Sequence, residues 1–333
     1  MHVRRLLPAL VGAGLLTVAA CGGTSGTTTV SSPATSGAAV STTASTPTSG
    51  ASASTSSSAA GSATETGTMS GGSSAATGAA VALPADCTPD QLATRVPGTF
   101  TFATDEPAYE PWVVNNDPAS GDGFESAVAY AAAEKLGYTR DQVAWTRVAF
   151  NQALAGTGES FDADVNQFTI TPERAQVVDF SSGYYDLTQT VITVAGSPIS
   201  GATTIDALKG ARLGGQIGTT SLTAINEQIV PTEAPAVFDT NELAAQALQN
   251  GQIDGLVVDP PTAFYLTAAQ LTDGQIVGQL PPAAQPEQLG MLLAKDSPLT
   301  TCVSAAVDAL RSEGTLDALA DEWLPTRTVT ELS

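Results

Sequence analysis

Residues 165 to 186 read Val-Asn-Gln-Phe-Thr-Ile-Thr-Pro-Glu-Arg-Ala-Gln-Val-Val-Asp-Phe-Ser-Ser-Gly-Tyr-Tyr-Asp. Val165, Phe168 and Ile170 have the pattern of a buried strand, and Thr171 is placed to cap a helix whose first turn holds Pro172, Glu173 and Arg174. The aligned peptide dipoles of a helix disfavour a cation at that end. Arg174 is therefore expected to reach away, toward an anion that also uses the free N–H groups of the turn. Surface pairing of Arg174 with Glu173 or Asp179 is the plainer alternative, and the local sequence leaves it open.

The chain has 333 residues. It begins with Arg4 and Arg5, an apolar run from Leu6 to Val18, and small residues up to Cys21. The run is too short to span a bilayer and reads as a secretory signal over residues 1 to 20. Leu16, Val18, Ala19, Ala20 and Cys21 resemble the lipobox of bacterial lipoproteins, which implies cleavage before Cys21 and its lipidation. Two or more acyl chains, at ~0.8 kcal/mol per buried methylene, suffice for a stable membrane anchor. Residues 21 to 86 are mostly Ser, Thr, Gly and Ala with very little charge. Such a segment buries too little apolar surface to offset chain entropy, so a disordered tether is expected, with a typical reach on the order of 45 Å.

What remains is about 245 residues, enough for two modest lobes. With Cys21 lipidated, Cys87 and Cys302 are the remaining cysteines. In an oxidising exterior they are expected to form one disulfide, worth ~4–5 kcal/mol in the loop-entropy model, the alternative being two buried free thiols. The net charge is −21, and −23 without Arg4 and Arg5. That field argues against nucleic acid and against direct contact with anionic lipid. His2, the only histidine, lies in the signal. A mature chain without histidine excludes Ser-His-Asp and Cys-His catalysis and every histidine-bearing metal site. Asp162 and Asp164 straddle one residue, but two carboxylates are too few for a cation, and a solvated loop is the expected setting. No metal and no cofactor are expected.

From Thr99 onward strands and helices alternate, which implies an α/β protein with mainly parallel sheets. Phe100 and Phe102 alternate in a first strand ending near Asp105. Residues 124 to 136 make a helix with Phe124, Val128, Ala131 and Leu136 inward and Gly137 after it. Further on, Gly218 opens a helix over 219 to 229, and an apolar strand over 253 to 258 delivers Asp259 ahead of Pro260 and Pro261.

The run Thr169, Ile170, Thr171, Pro172, Glu173, Arg174, followed by Asp179, Phe180, Ser181, Gly183, Tyr184 and Tyr185, resembles the signature of the bacterial extracellular solute-binding proteins, family 3, which deliver polar amino acids to ABC importers. The likeness runs in order over roughly residues 95 to 325. It implies a two-lobed, periplasmic-binding-protein-like fold of type II with two crossover strands. Lobe one would comprise 87–183 and 290–327, lobe two 190–284, and the hinges 184–189 and 285–289. It also implies a monomer tethered outside the cytoplasm by its lipid anchor alone, with an ABC permease as partner and a polar amino acid or similar small zwitterion as ligand.

By that resemblance Arg174 and Thr219, from opposite lobes, grip the ligand carboxylate, and Thr220 stands beside them at a strand-to-helix turn. A guanidinium fork makes two parallel charge-assisted bonds to such a group. Asp259 suits the ammonium, its alternative being a cap for the helix opened by Pro260. Thr169 matches a position that bonds the ammonium or carboxylate. Gln167 stands where relatives often have Gly or Ser, so its amide is expected to narrow the pocket. Tyr109, Trp112 and Phe150 would supply apolar faces, with a core role the usual fate of such rings. Asp105 matches a position that contacts the ligand side chain and, with Gln167, hints at a polar or cationic one. No chemistry on the ligand is expected. The alternatives are a dehydratase of the cyclohexadienyl type on the same fold and a ligand-sensing lipoprotein without a transport role.

Overall fold

The computed structural model describes residues 82 to 333 except 158, 159, 284, 326 and 327. The expected signal, Cys21 and most of the expected tether lie outside the described residues.

In chain order, β1 (Phe100–Thr104) leads through a loop to α1 (Phe124–Lys135), then β2 (Val143–Arg147), α2 (Phe150–Leu154), β3 (Ala163–Asp164) and β4 (Val178–Phe180). A crossing strand, β5 (Tyr185–Leu187), opens the second series: β6 (Thr190–Val194), β7 (Leu213–Gln216), α3 (Thr220–Ala224), β8 (Ala236–Phe238), α4 (Asn241–Gln249), β9 (Gly255–Val258), α5 (Pro260–Tyr265) and β10 (Gly274–Gln279). The chain returns through β11 (Glu287–Leu289) to β12 (Leu292–Ala294), α6 (Thr300–Ser312) and α7 (Thr315–Trp323).

Two five-stranded sheets result, ordered β2-β1-β3-β12-β4 and β10-β6-β9-β7-β8, each the centre of one lobe. Phe100, Phe102, Phe124, Val128, Leu136 and the inward side of α6 close one core. Val191, Leu213, Ile225 and Val257 lie in another, beneath the second sheet. The sheets are mixed rather than mainly parallel. β12 runs antiparallel to β3 and β4, and β6 runs antiparallel to β9 and β10. The reason is the crossing: β6 and β12 are the strands by which the chain enters a sheet from the other lobe, so each arrives from the opposite end. Between the lobes β5 and β11 pair antiparallel as a two-stranded ribbon, Tyr185 opposite Leu289 and Leu187 opposite Glu287.

The stretch from Val165 to Asp186 departs from its expected form. The strand expected over residues 165 to 170 does not form as a regular element: β3 stops at Asp164, and Gln167 takes a left-handed φ of 50° that breaks the extended run. Val165 and Phe168 are nonetheless buried. Thr171 does cap, its Oγ1 accepting the Arg174 N–H at 3.2 Å. The capped element, however, is a single 3-10 turn over Arg174–Gln176. The chain leaves that turn at once to form β4 against β12, so no helix long enough to carry a useful dipole develops.

Two further placements matter. Cys87 and Cys302 lie with their sulfurs 2.00 Å apart, joining the start of the domain to α6. Residues past α7 return to the second lobe: Gln279 N–H donates to Thr330 O and Leu332 N–H to Gln279 O, both at 2.8 Å. Leu332 is 2% exposed in that lobe's core. A Cβ on Gly278 would meet the Leu332 side chain at 2.7 Å, so glycine there makes room for this third crossing.

Candidate functional site

The lobes meet over a cleft whose walls are the carboxyl ends of β1 and β9, the loop after β3, and the first turn of α3. In open α/β sheets this is where ligands sit, since loops beyond the strand ends converge there. Asp105, Tyr109, Phe150, Gln167, Thr169 and Arg174 line it from the first lobe. Thr219, Thr220 and Asp259 line it from the second. Trp112 does not. It is 0% exposed, packs edge-on against Phe124 and Tyr185, and donates its indole N–H to Thr262 Oγ1 at 3.0 Å. Its place is the core beneath the cleft, as the general habit of buried tryptophan has it.

Arg174 reaches across the gap. Its guanidinium donates to Thr169 O at 2.5 Å and to Gly218 O of the facing lobe at 2.8 Å, and stands 5.8 Å from the Phe150 ring centre. Phe150 in turn stacks on Phe168 at 5.0 Å. Among the described residues no carboxylate lies within ion-pair distance of Arg174. Burial pushes its pKa down to about 10, with the charge of Glu287 pulling the other way. Gly218 has φ +77°, and a Cβ there would meet Asn151 Oδ1 at 2.6 Å. Glycine is needed at that point both for the left-handed turn and for the close approach of the lobes.

Thr169 Oγ1 and Thr220 Oγ1 touch across the same seam at 3.1 Å. Thr219 spends its hydroxyl within its own lobe, accepting Leu222 N–H of α3 at 3.2 Å and donating to Gln216 O at the end of β7 at 2.7 Å. Asp105 accepts the N–H groups of Glu106 and Phe150, at 2.7 and 3.2 Å. Asp259 caps α5 by accepting Thr262 N–H at 2.8 Å and lines the cleft as well, so its two alternatives coexist in one side chain. No cation stands within ion-pair distance of it among the described residues. Burial pushes its pKa up to about 6 against the pull of the Thr262 hydrogen bonds.

Several residues escaped the sequence reading. Glu287, on the crossing strand β11, accepts from Gln189 Nε2 at 2.6 Å and from Thr220 Oγ1 at 3.3 Å. Ser221 Oγ donates to Gln189 Oε1 at 2.7 Å. The usable signal was a lone carboxylate in a stretch expected to be a hinge. Glu125 was also missed, and Asp162 and Asp164, expected in a solvated loop, are instead buried at β3 because that strand runs through the middle of the first lobe's sheet. Glu125 and Asp164 are 0% exposed behind the first lobe's wall. Glu125 accepts from Tyr184 Oη, from Gln167 N–H at 2.7 Å and from Gln167 Nε2. Asp164 has both oxygens buried without a hydrogen-bond partner. Burial raises Glu125 to about 7 and Asp164 well above the usual carboxylate range. A single acid, whether in the first turn of a helix like Glu125 or at the end of a strand like Asp164, carries no local pattern that distinguishes a buried group from an exposed one.

Chemically, the cleft presents the Arg174 guanidinium on one wall and the Asp259 carboxylate on the facing one, with the Asp105 carboxylate, hydroxyls and aromatic faces also in the lining. That is the complement of a small zwitterion.

Glu125, Asp164 and Asp259 all hold a proton more readily folded than unfolded. The folded state thus binds more protons between about pH 4 and 7, and stability falls as pH rises through that window. For Asp259, a rise from 3.8 to about 6 corresponds to on the order of 3 kcal/mol. The unliganded protein should therefore melt at a higher temperature at pH 5 than at pH 8 in calorimetry; a melting temperature that climbs steadily over that range would contradict the assignment.

The family model of the bacterial extracellular solute-binding proteins, family 3, matches residues 101 to 326. An L-arginine-binding protein of Pseudomonas aeruginosa is 25% identical over 254 residues, covering 70% of this chain and 93% of that protein. The solved structure of an ancestral arginine-binding protein bound to glutamine superposes with a TM-score of 0.57 at 26% identity, covering 68% of this chain and 98% of that one. An ancestral amino acid-binding protein, precursor of cyclohexadienyl dehydratase, gives 0.55 at 28% identity, covering 68% and 96%.

Proposed function

We propose an amino-acid receptor that works by binding alone, starting from the fact that this chain belongs to family 3 of the bacterial extracellular solute-binding proteins. It is an extracytoplasmic solute-binding protein. The observation that carries the finer reading is the pair of uncompensated opposite charges, Arg174 and Asp259, on facing walls of one cleft. A ligand carboxylate against Arg174 and a ligand ammonium against Asp259 each remove a desolvation cost that the empty cleft bears. Asp105 leaves one further negative charge in the lining, which favours a cationic side chain; the arginine-binding relative agrees with this. Charged hydrogen bonds net ~1.5–3 kcal/mol each while association costs ~4–15 kcal/mol, so burial against Tyr109 and Phe150 must supply the rest.

The two lobes swing about 184–189 and 285–289, and the closed form is handed to an ABC permease. The chain reaches that partner as a monomer on a lipidated Cys21 and its tether, with Cys87 and Cys302 oxidised. Cys21→Ser should move the protein from the membrane fraction to the medium or periplasm; retention in the membrane would remove the anchor.

Thermal shift across the twenty amino acids tests the receptor itself. A true ligand at a hundred times its dissociation constant adds ~2.7 kcal/mol of stability, and a cationic amino acid should give the largest shift. No shift with any of them would end the reading. In calorimetric titration Arg174→Ala should weaken binding by ~2–5 kcal/mol, since the ligand carboxylate is then buried unpaired. Unchanged affinity would take Arg174 out of the site.

A further inference from the structure

Glu125 does not itself line the cleft, yet it holds Gln167, which does. We infer that Glu125 is a positioning residue for ligand selectivity: by holding the amide nitrogen of Gln167, it turns the Gln167 carbonyl oxygen into the cleft as an acceptor for a ligand ammonium. This rests on the amino-acid reading above and deepens it.

The geometry is specific. One carboxylate oxygen of Glu125 accepts from both Tyr184 Oη and the Gln167 backbone N–H. The other accepts from Gln167 Nε2. An ionised carboxylate only accepts, so the donor end of the Gln167 amide has to face it. The backbone bond also helps hold residue 167 at φ 50°, an uncommon conformation for a residue with a side chain. Gln167 lines the cleft, and its Oε1 is neither bonded to protein nor sealed in, among the described residues. The oxygen therefore faces the ligand space that also contains Thr169 and Asp259.

The substitution Glu125→Gln inverts this arrangement. The new side chain keeps an acceptor for Tyr184 and the 167 N–H, but offers an amide N–H₂ where the second oxygen stood. Gln167 must then rotate its oxygen inward, and an N–H₂ group faces the ligand. An ammonium has no acceptor to spare for that donor, whereas a hydroxyl does. Exchanging the two residues, Glu125→Gln with Gln167→Glu, restores the original polarity: the amide at position 125 donates to one carboxylate oxygen at position 167, and the other oxygen faces the cleft. Protonation of Glu125 would act like the single change. Tyr184, Gln167, Asp164 and Asp259 are the polar and charged groups that bear on that proton.

The experiment compares L-arginine with its α-hydroxy analogue, which keeps the carboxylate and guanidinium and replaces the ammonium by hydroxyl. The wild type should prefer arginine. E125Q should lower the ratio of the two affinities at least tenfold, and E125Q/Q167E should bring it back to within about threefold of wild type. A folded E125Q with an unchanged ratio, or a folded double variant that fails to recover it, overturns the inference. Should E125Q fail to fold, Gln167→Met must lower the same ratio, and an unchanged value overturns it equally. If the wild type binds neither arginine nor any other amino acid, the receptor reading itself fails. Glu125 is then judged by NMR of the unliganded protein, where Gln167 side-chain amide protons exchanging as fast as exposed ones would refute the contact.

Discussion

Charge taken out of water without a partner is the constraint on which this structure turns. Arg174 and Asp259 both stand half-buried in the cleft between the lobes, and neither has an ion-pair partner among the described residues. Main-chain groups compensate part of the cost, through Thr169 O and Gly218 O for the cation and the Thr262 N–H for the anion. Dipoles of this kind stabilise a charge less than an opposite charge does. In the receptor reading proposed above, a zwitterion supplies both missing opposite charges, so the proposed closure is more favourable with ligand than without it.

The two lobes also meet atom to atom. Arg174 on Gly218 O, Thr169 on Thr220, and Trp112 on Thr262 each join one lobe to the other. Gly218 allows the first of these because no side chain separates its backbone from Asn151. The β5–β11 ribbon and the returning segment around Leu332 connect the lobes as well. Behind the first wall lies a second tier of polarity in Glu125, Tyr184 and Gln167, which sets the direction of hydrogen-bonding groups in front of it. Buried networks of this kind cost much when broken and in return fix a single arrangement.

The route from sequence to site was uneven, and the failures share a cause. Arg174 stood out as a cation immediately after Thr-Pro-Glu, and it does reach into a cleft. The helix proposed to explain it is a single turn, because β4 follows at once and pairs with β12 from more than a hundred residues later. Asp259 was read as either a cap or a cleft residue, and it is both. Trp112 shares its composition with cleft aromatics and differs only in depth. Glu125 gave no sign at all, and Asp164 was noticed only beside Asp162 and not as a buried group, since burial of a carboxylate is a property of its neighbours.

Alternation of strands and helices, the apolar faces at Phe100, Phe102 and Phe124, and the family signature from Thr169 to Tyr185 were legible in the chain alone, because local periodicity and backbone chemistry are written residue by residue. Which strands run antiparallel, where the chain crosses between lobes for a third time, and which acids lose their water depend on segments distant in sequence arriving at one place. Those facts belong to the tertiary structure, since desolvation and strand pairing are set by what surrounds a residue in space rather than by what flanks it in the chain.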